Sequence, residues 1–225
     1  MSARSKALNP GLWIAALVAA GVLAGKDGMA QDADPHATHR SHDSTGAVPD
    51  GLPGVSRSLT RYTVPPLRLV RDDGKEVTLA DELDDGRPVV LNFIYTTCPG
   101  ICPLASEVFK ELQRQLGAER DRVHLVSISV DPEEDTPARL RAYAKKFSAG
   151  PSWQHYTGTV AASVAAQRAF DVYRGDKMGH TPVTLLRTTQ GAPWVRFDGF
   201  ATADMLLKEL HGTSQVTASA SAPRP

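Results

Sequence analysis

Pro88-Val89-Val90-Leu91-Asn92-Phe93-Ile94-Tyr95-Thr96-Thr97-Cys98-Pro99-Gly100-Ile101-Cys102-Pro103 decides the fold. Pro88 to Tyr95 is almost wholly apolar, as a strand buried on both faces of a sheet should be. From Ile101 the period changes to a helical one, and Leu104, Val108, Leu112 and Leu116 are expected to form one buried stripe. Between strand and helix stand the chain's 2 cysteines, spaced Cys-x-x-x-Cys. A strand that delivers two thiols to the first turn of a helix is a redox or soft-metal site. Cys102 lies in that turn, where free N–H groups and the helix dipole favour a thiolate. Read as helical i and i+4 positions, the two thiols lie on one face, close enough to share a metal or close a disulfide.

Outward from this core, strand and helix signals alternate. Leu67–Val70 and Glu76–Leu79 flank Asp73-Gly74, a hairpin signal. Val123–Val130 is a second buried strand. Thr136-Pro137 supplies an N-cap and an N1 proline for a helix reaching Phe147, and Thr159 caps another to Phe170. Val183–Arg187 and Trp194–Asp198 are strands around Gln190-Gly191, and Thr202 opens a helix ending near His211. Short connections and right-handed crossovers make the first two long strands parallel. The order is that of an α/β thioredoxin-like fold: a central mixed β-sheet flanked by helices, with an N-terminal β-hairpin extension.

The domain so defined spans residues 59–211 of a 225-residue chain. Residues 1–30 read as a signal peptide or a membrane anchor. Arg4 and Lys6 precede an apolar stretch, Gly11 to Gly25, that is shorter than the roughly 20 residues of a membrane span. Small residues at Gly28-Met29-Ala30 suit cleavage, and no cysteine follows for lipid attachment. Residues 31–58, rich in His, Asp, Ser and Gly, read as a flexible linker, and 212–225 as a disordered tail. His36, His39 and His42 in the linker could take up copper or zinc transiently, or serve as a solvated spacer. Loss of Arg4, Lys6, Lys26 and Asp27 with the leader moves the formal net charge from zero to −2. No basic stripe interleaved with aromatics suggests nucleic acid.

Topology brings distant residues to one rim. Cys98 and Asp131 each follow the C-terminal end of a parallel strand. His180 precedes a strand, from Val183, that should run antiparallel to both. Cys98, Cys102, Asp131 and His180 therefore meet at one edge of the sheet. Two thiolates suit Cu(I), and an added imidazole admits Cu(II). Zinc competes, but structural zinc sites use four protein ligands and three are visible. A purely structural disulfide would close so short a loop that it gains little. Asp131 can equally be the turn residue ahead of Pro132.

The same residues resemble the Sco/SenC family of copper-binding thioredoxin-fold proteins, which help to assemble the binuclear copper centre of cytochrome oxidase. The likeness rests on Asn92 to Pro103, on Ser127-Ile128-Ser129-Val130-Asp131-Pro132 with Asp135-Thr136-Pro137, and on His180-Thr181. It implies Cys98, Cys102 and His180 as copper ligands and Asp131 as an acidic neighbour that tunes or orients them. It implies a periplasmic, monomeric chain, soluble or held to the inner membrane, with a copper-accepting oxidase subunit or other copper protein and a thiol reductant as partners. Pro182 departs from the family pattern and is similar to the cis-proline of thioredoxin-type oxidoreductases, where it shapes a groove for a substrate thiol. Two functions follow. One is a copper metallochaperone or redox assembly factor for cytochrome c oxidase. The other is a periplasmic thiol–disulfide oxidoreductase, with Cys98 attacking and Cys102 resolving. A redox or copper sensor is a weaker third.

Overall fold

Val89–Ile94 is strand β4, and every one of its residues is buried because the sheet is covered on both sides. The computed structural model describes residues 54–220, with side chains through 212. The leader, most of the linker with its three histidines, and the end of the tail lie outside the described residues. In chain order the strands are β1 (Ser56–Thr60), β2 (Arg68–Arg71), β3 (Glu76–Thr78), β4, β5 (His124–Ser129), β6 (Trp153–Thr157), β7 (Val183–Arg187) and β8 (Trp194–Asp198). The helices are α1 (Leu79–Leu83), α2 (Ile101–Leu116), α3 (Pro137–Lys146), α4 (Val160–Ala169) and α5 (Ala203–Ala220).

One eight-stranded sheet runs in the order β1-β8-β7-β4-β5-β6-β2-β3. β4, β5 and β6 are parallel, while β7 pairs antiparallel with β4, with Leu91 opposite Leu185. The alternation of side chains along each strand feeds two cores. Val90, Ile94 and Leu125 face α2, α3 and α5 with Phe109, Leu112, Leu140 and Leu206. Leu91, Phe93 and Ile128 face α1 and α4 with Leu79, Ala166 and Phe170. The expected mixed-sheet, thioredoxin-like architecture is present. The hairpin of β2 and β3 extends it by docking antiparallel on β6.

Four expectations need correction. A strand, β6, lies between α3 and α4, where none was read. The buried stripe of α2 runs through Cys102, Ser106, Phe109, Leu112 and Leu116, and Leu104 points outward, 57% exposed. The stripe is rotated because Ser106 goes inward to exchange a 2.8 Å hydrogen bond with the Tyr143 hydroxyl. Third, strand β1 overlaps the segment read as linker, because it pairs with the length of β8 and Arg57 bonds Glu209. At the other end, α5 runs on past His211 to Ala220, where no proline interrupts it. Beside the β1–β8 junction, Gly199 has φ +105°, and a Cβ there would stand 2.5 Å from the Gly54 carbonyl oxygen, so only glycine fits.

Candidate metal centre

β4 ends at Ile94, and the chain then turns back on itself: the Cys98 N–H donates to the Tyr95 carbonyl at 3.2 Å. Helix α2 begins only at Ile101, so Cys98 is not a helical residue and the i, i+4 reading of the pair is corrected. The two side chains meet instead because the Cys102 N–H, freed at the helix start, points back at the Cys98 sulfur, 3.4 Å away. Both thiols are free, Cys98 9% exposed and Cys102 1%.

Their acidities differ in the sense opposite to the expectation for Cys102. Burial pushes the Cys102 thiol far above its usual value, and proximity to Cys98 adds to this. Burial also acts on Cys98, but the N–H groups of Cys102 and Gly100, the Cys102 thiol and the Tyr95 hydroxyl outweigh it and bring that thiol down. The helix start therefore supports a thiolate one turn upstream of the residue that occupies it. Burial, then the developing charge on Cys98, holds the Tyr95 phenol up at about 12, so it stays a donor.

His180 borders the same cleft as Cys102, together with Asn92, Phe93, Pro182 and Gly199. The cleft is small, with about 10 Å³ of open space, room for roughly one water and not for an organic substrate. The His180 Nε2 lies 2.9 Å from the Phe93 carbonyl oxygen. A carbonyl only accepts, so Nε2 carries the proton. Burial, with Arg174 nearby, depresses the ring's pKa, so at neutral pH Nδ1 keeps its lone pair. This is the arrangement of a metal-binding histidine oriented by a backbone carbonyl. Asn92 accepts from the Ser127 hydroxyl at 2.7 Å, while its buried Nδ2 has no hydrogen-bond partner. An open donor on the cleft wall suits an electron-rich occupant such as a metal-bound thiolate.

Known proteins share this chain's pattern. Residues 56–215 match the SCO1/SenC family. The chain belongs to that family. The SCO1 protein homolog of Bacillus subtilis is 37% identical over 98 residues, 43% of this chain and 50% of that protein. The chain thus spans about half the length of the sequence relatives it matches. Among solved structures, copper-bound ScoI of Bradyrhizobium japonicum is similar at 30% identity and a TM-score of 0.56, over 66% of this chain and 97% of that one. BsSco, a member of the Sco family of cytochrome c oxidase assembly proteins in which a disulfide switch was identified, has 25% identity and a TM-score of 0.59, over 71% and 97%.

In this SCO1/SenC chain the donors are near one another without being closed into a site. Among the described residues no three His, Cys, Asp or Glu side chains stand ready to hold a metal ion. The imidazole is tied to β4 instead of being turned onto the thiols. Asp131 does not reach the sulfurs either. Its carboxylate, 6% exposed on the residue scale, takes an ion pair from Lys177 Nζ at 2.6 Å. Lys177 opens the short turn Lys177–Gly179 that leads into His180, so Asp131 acts on the histidine through its loop. Pro182 lines the cleft, and its carbonyl accepts from the Gly199 N–H at 2.9 Å.

Three further groups shape the site and were not singled out from sequence. Asp135, fully buried, accepts from the Thr96 N–H at 3.2 Å, the Thr96 hydroxyl at 2.5 Å and the Ser129 hydroxyl at 2.6 Å, fixing the turn ahead of Cys98. Tyr95 reads as the last apolar residue of a strand, yet its hydroxyl faces Cys98. Met178 has no periodicity to betray it and stands beside Tyr95. The only sequence signal for Asp135 was its place after Asp131-Pro132.

Proposed function

We propose that this chain is a copper-binding assembly factor that serves the copper centre of cytochrome c oxidase. Cys98 and Cys102 hold Cu(I) with His180 and hand it on by ligand exchange to a copper-accepting subunit. The observation that carries the reading is the pairing of two free, unequal thiols with a histidine that lines the same cleft as Cys102 and whose Nε2–H is bonded to Phe93, which leaves Nδ1 unprotonated. A soft cation suits two thiolates, and the imidazole extends the site to Cu(II). Copper bound to ScoI and the role of the family of BsSco in oxidase assembly support the assignment. The apolar stretch Gly11 to Gly25 supports export, with the segment either cleaved or kept as a tether. Among the described residues no helix is long and apolar enough to cross a membrane.

The test is anaerobic titration of the reduced full-length chain with Cu(I), and separately Cu(II), against a competing chelator. One metal per chain, lost in Cys98→Ser and Cys102→Ser and weakened in His180→Ala, is the expected result. Equal binding by all three variants would remove the assignment.

The unequal thiols support a second reading, thiol–disulfide exchange. The Cys98 thiolate attacks a partner's disulfide, forming a mixed disulfide and releasing one partner thiolate, which takes up a proton. Cys102 then loses its proton and attacks Cys98 Sγ, releasing the second partner thiol, and the pair ends oxidised as the partner ends reduced by two electrons. His180→Ala separates the readings, since it weakens copper binding and leaves this exchange largely intact.

A further inference from the structure

Met178 is 72% exposed, yet its position is fixed. Its backbone N–H donates to Asp176 Oδ1 at 2.8 Å, and the preceding residue, Lys177, is held both by Asp131 and over the Tyr95 ring at 5.9 Å. The thioether sulfur of Met178 lies 3.9 Å from the Tyr95 hydroxyl. The same tyrosine accepts the Cys98 N–H on its carbonyl at 3.2 Å, and its hydroxyl is among the groups that lower the Cys98 thiol, so one residue stands between the exposed thioether and the less buried thiol. Two residues further on is His180.

This placement answers a difficulty in the copper reading. Cys98 and Cys102 are both buried, and the cleft that Cys102 shares with His180 has room for about one water, so an ion arriving with its partner's ligands cannot reach Cys102 directly. An uncharged, exposed thioether has no proton to lose and prefers soft monovalent ions. We propose that Met178 is a capture and release ligand, holding Cu(I) together with Cys98 near the surface before Cys102 and His180 complete the inner site. Capture displaces one proton, from the Cys98 thiol to solvent, and a second leaves when Cys102 binds. Copper stays Cu(I) throughout and no electron is transferred. Release reverses the order, with Met178 and Cys98 as the last ligands seen by the acceptor. The selectivity is for Cu(I) and Ag(I) over Zn(II).

The inference rests on the copper reading, and its test separates the two. The reduced full-length chain, labelled with 13C at the methionine methyls, is titrated anaerobically with Cu(I) supplied as its acetonitrile complex. The chain has 4 methionines, and Met178→Leu, close to it in shape, identifies the signal. The Met178 methyl should shift with the first equivalent of Cu(I) or Ag(I), stay still with Zn(II), and stay still with Cu(I) in Cys98→Ala. Met205, packed against the helical core, should not move. Stopped-flow uptake by Met178→Leu should be about 10-fold slower, the low end of the effect of removing a supporting group at a metal site. Binding of one Cu(I) per chain with an unmoved Met178 methyl and unchanged uptake by Met178→Leu would overturn the inference and leave the copper reading standing. A methyl that shifts equally with Zn(II) would overturn the soft-ion assignment. No Cu(I) binding by the unaltered chain would overturn the parent reading.

Discussion

His155 should make the domain sensitive to mild acid, with a slope that one substitution removes. Its ring is fully buried in β6, stacked 5.3 Å from Trp153 and edge-on to Tyr143 at 6.2 Å. Neither ring nitrogen has a hydrogen-bond partner, and the Asp72 carboxylate, 3.9 Å from Nδ1, is too far to supply one. Burial holds the folded pKa down at about 3, against 6.5 for the free side chain. The unfolded chain therefore binds the extra proton first, so stability is full above pH 6.5 and falls as the pH drops toward 3. Each pH unit in that window is worth about 1.4 kcal/mol, so moving from pH 7 to pH 5 removes about 2 kcal/mol. Asp72 acts in the opposite sense, because burial raises its pKa and folding then favours its protonated form. His155→Phe keeps the ring stack and leaves Asp72 and the other carboxylates in place. Urea unfolding of both proteins, followed by tryptophan fluorescence at pH 7 and pH 5, isolates the histidine. The variant should lose about 2 kcal/mol less over that interval. Equal losses to within about 0.5 kcal/mol would refute the buried neutral imidazole.

Limiting iodoacetamide at pH 7 should label Cys98 well ahead of Cys102 in the reduced chain, as read by peptide mass spectrometry; equal labelling would contradict the unequal acidities. Asp131→Asn should free the Lys177 turn and lower Cu(II) affinity, which draws on His180, by about 10- to 100-fold, with a smaller effect on Cu(I). A competition titration in which both ions weaken equally would assign Asp131 to the sulfurs instead. Phe109→Ala, at a fully buried ring 5.6 Å from Trp153, should destabilise the chain by about 3–5 kcal/mol in urea unfolding. A loss under about 1 kcal/mol would mean that α2 is not packed on the sheet as described.

What sequence revealed, and what it hid, follows from how each element is buried. β4 was legible because both faces are covered and all but Asn92 is apolar, and β5 because Leu125, Val126 and Ile128 make a short apolar run at strand length after it. β6 was not, since Trp153-Gln154-His155-Tyr156-Thr157 buries large aromatics and polar groups without alternation. β1 was hidden for the opposite reason: an edge strand, mostly exposed, is held by backbone pairing that no side-chain period records. The phase of α2 was misread because Leu104 looks like a core residue and Ser106 does not, until the Tyr143 hydroxyl is known to wait for it. At the site, the Cys-x-x-x-Cys spacing and the placement of His180 before an antiparallel strand were sufficient to bring Cys102 and His180 to one cleft. The roles of Tyr95, Lys177, Asp135 and Met178 depend on contacts between separate loops. No local pattern encodes those.

The arrangement also explains why these donors are not fused into a closed site. Cys98 sits in a turn fixed by Asp135, Cys102 in a helix set against the core, and His180 on a loop pinned to the turn after β5 by the Lys177–Asp131 pair. Each support belongs to a different stretch of chain, so the thiols and the imidazole can be brought together or parted by a loop movement that leaves the sheet intact. A rigid four-ligand cage would hold a metal ion for stability and release it slowly. In the proposed site, three donors on independent supports, with the histidine hydrogen-bonded to a carbonyl, would favour exchange over retention. That property suits a carrier of copper or of electrons and disfavours a structural metal site.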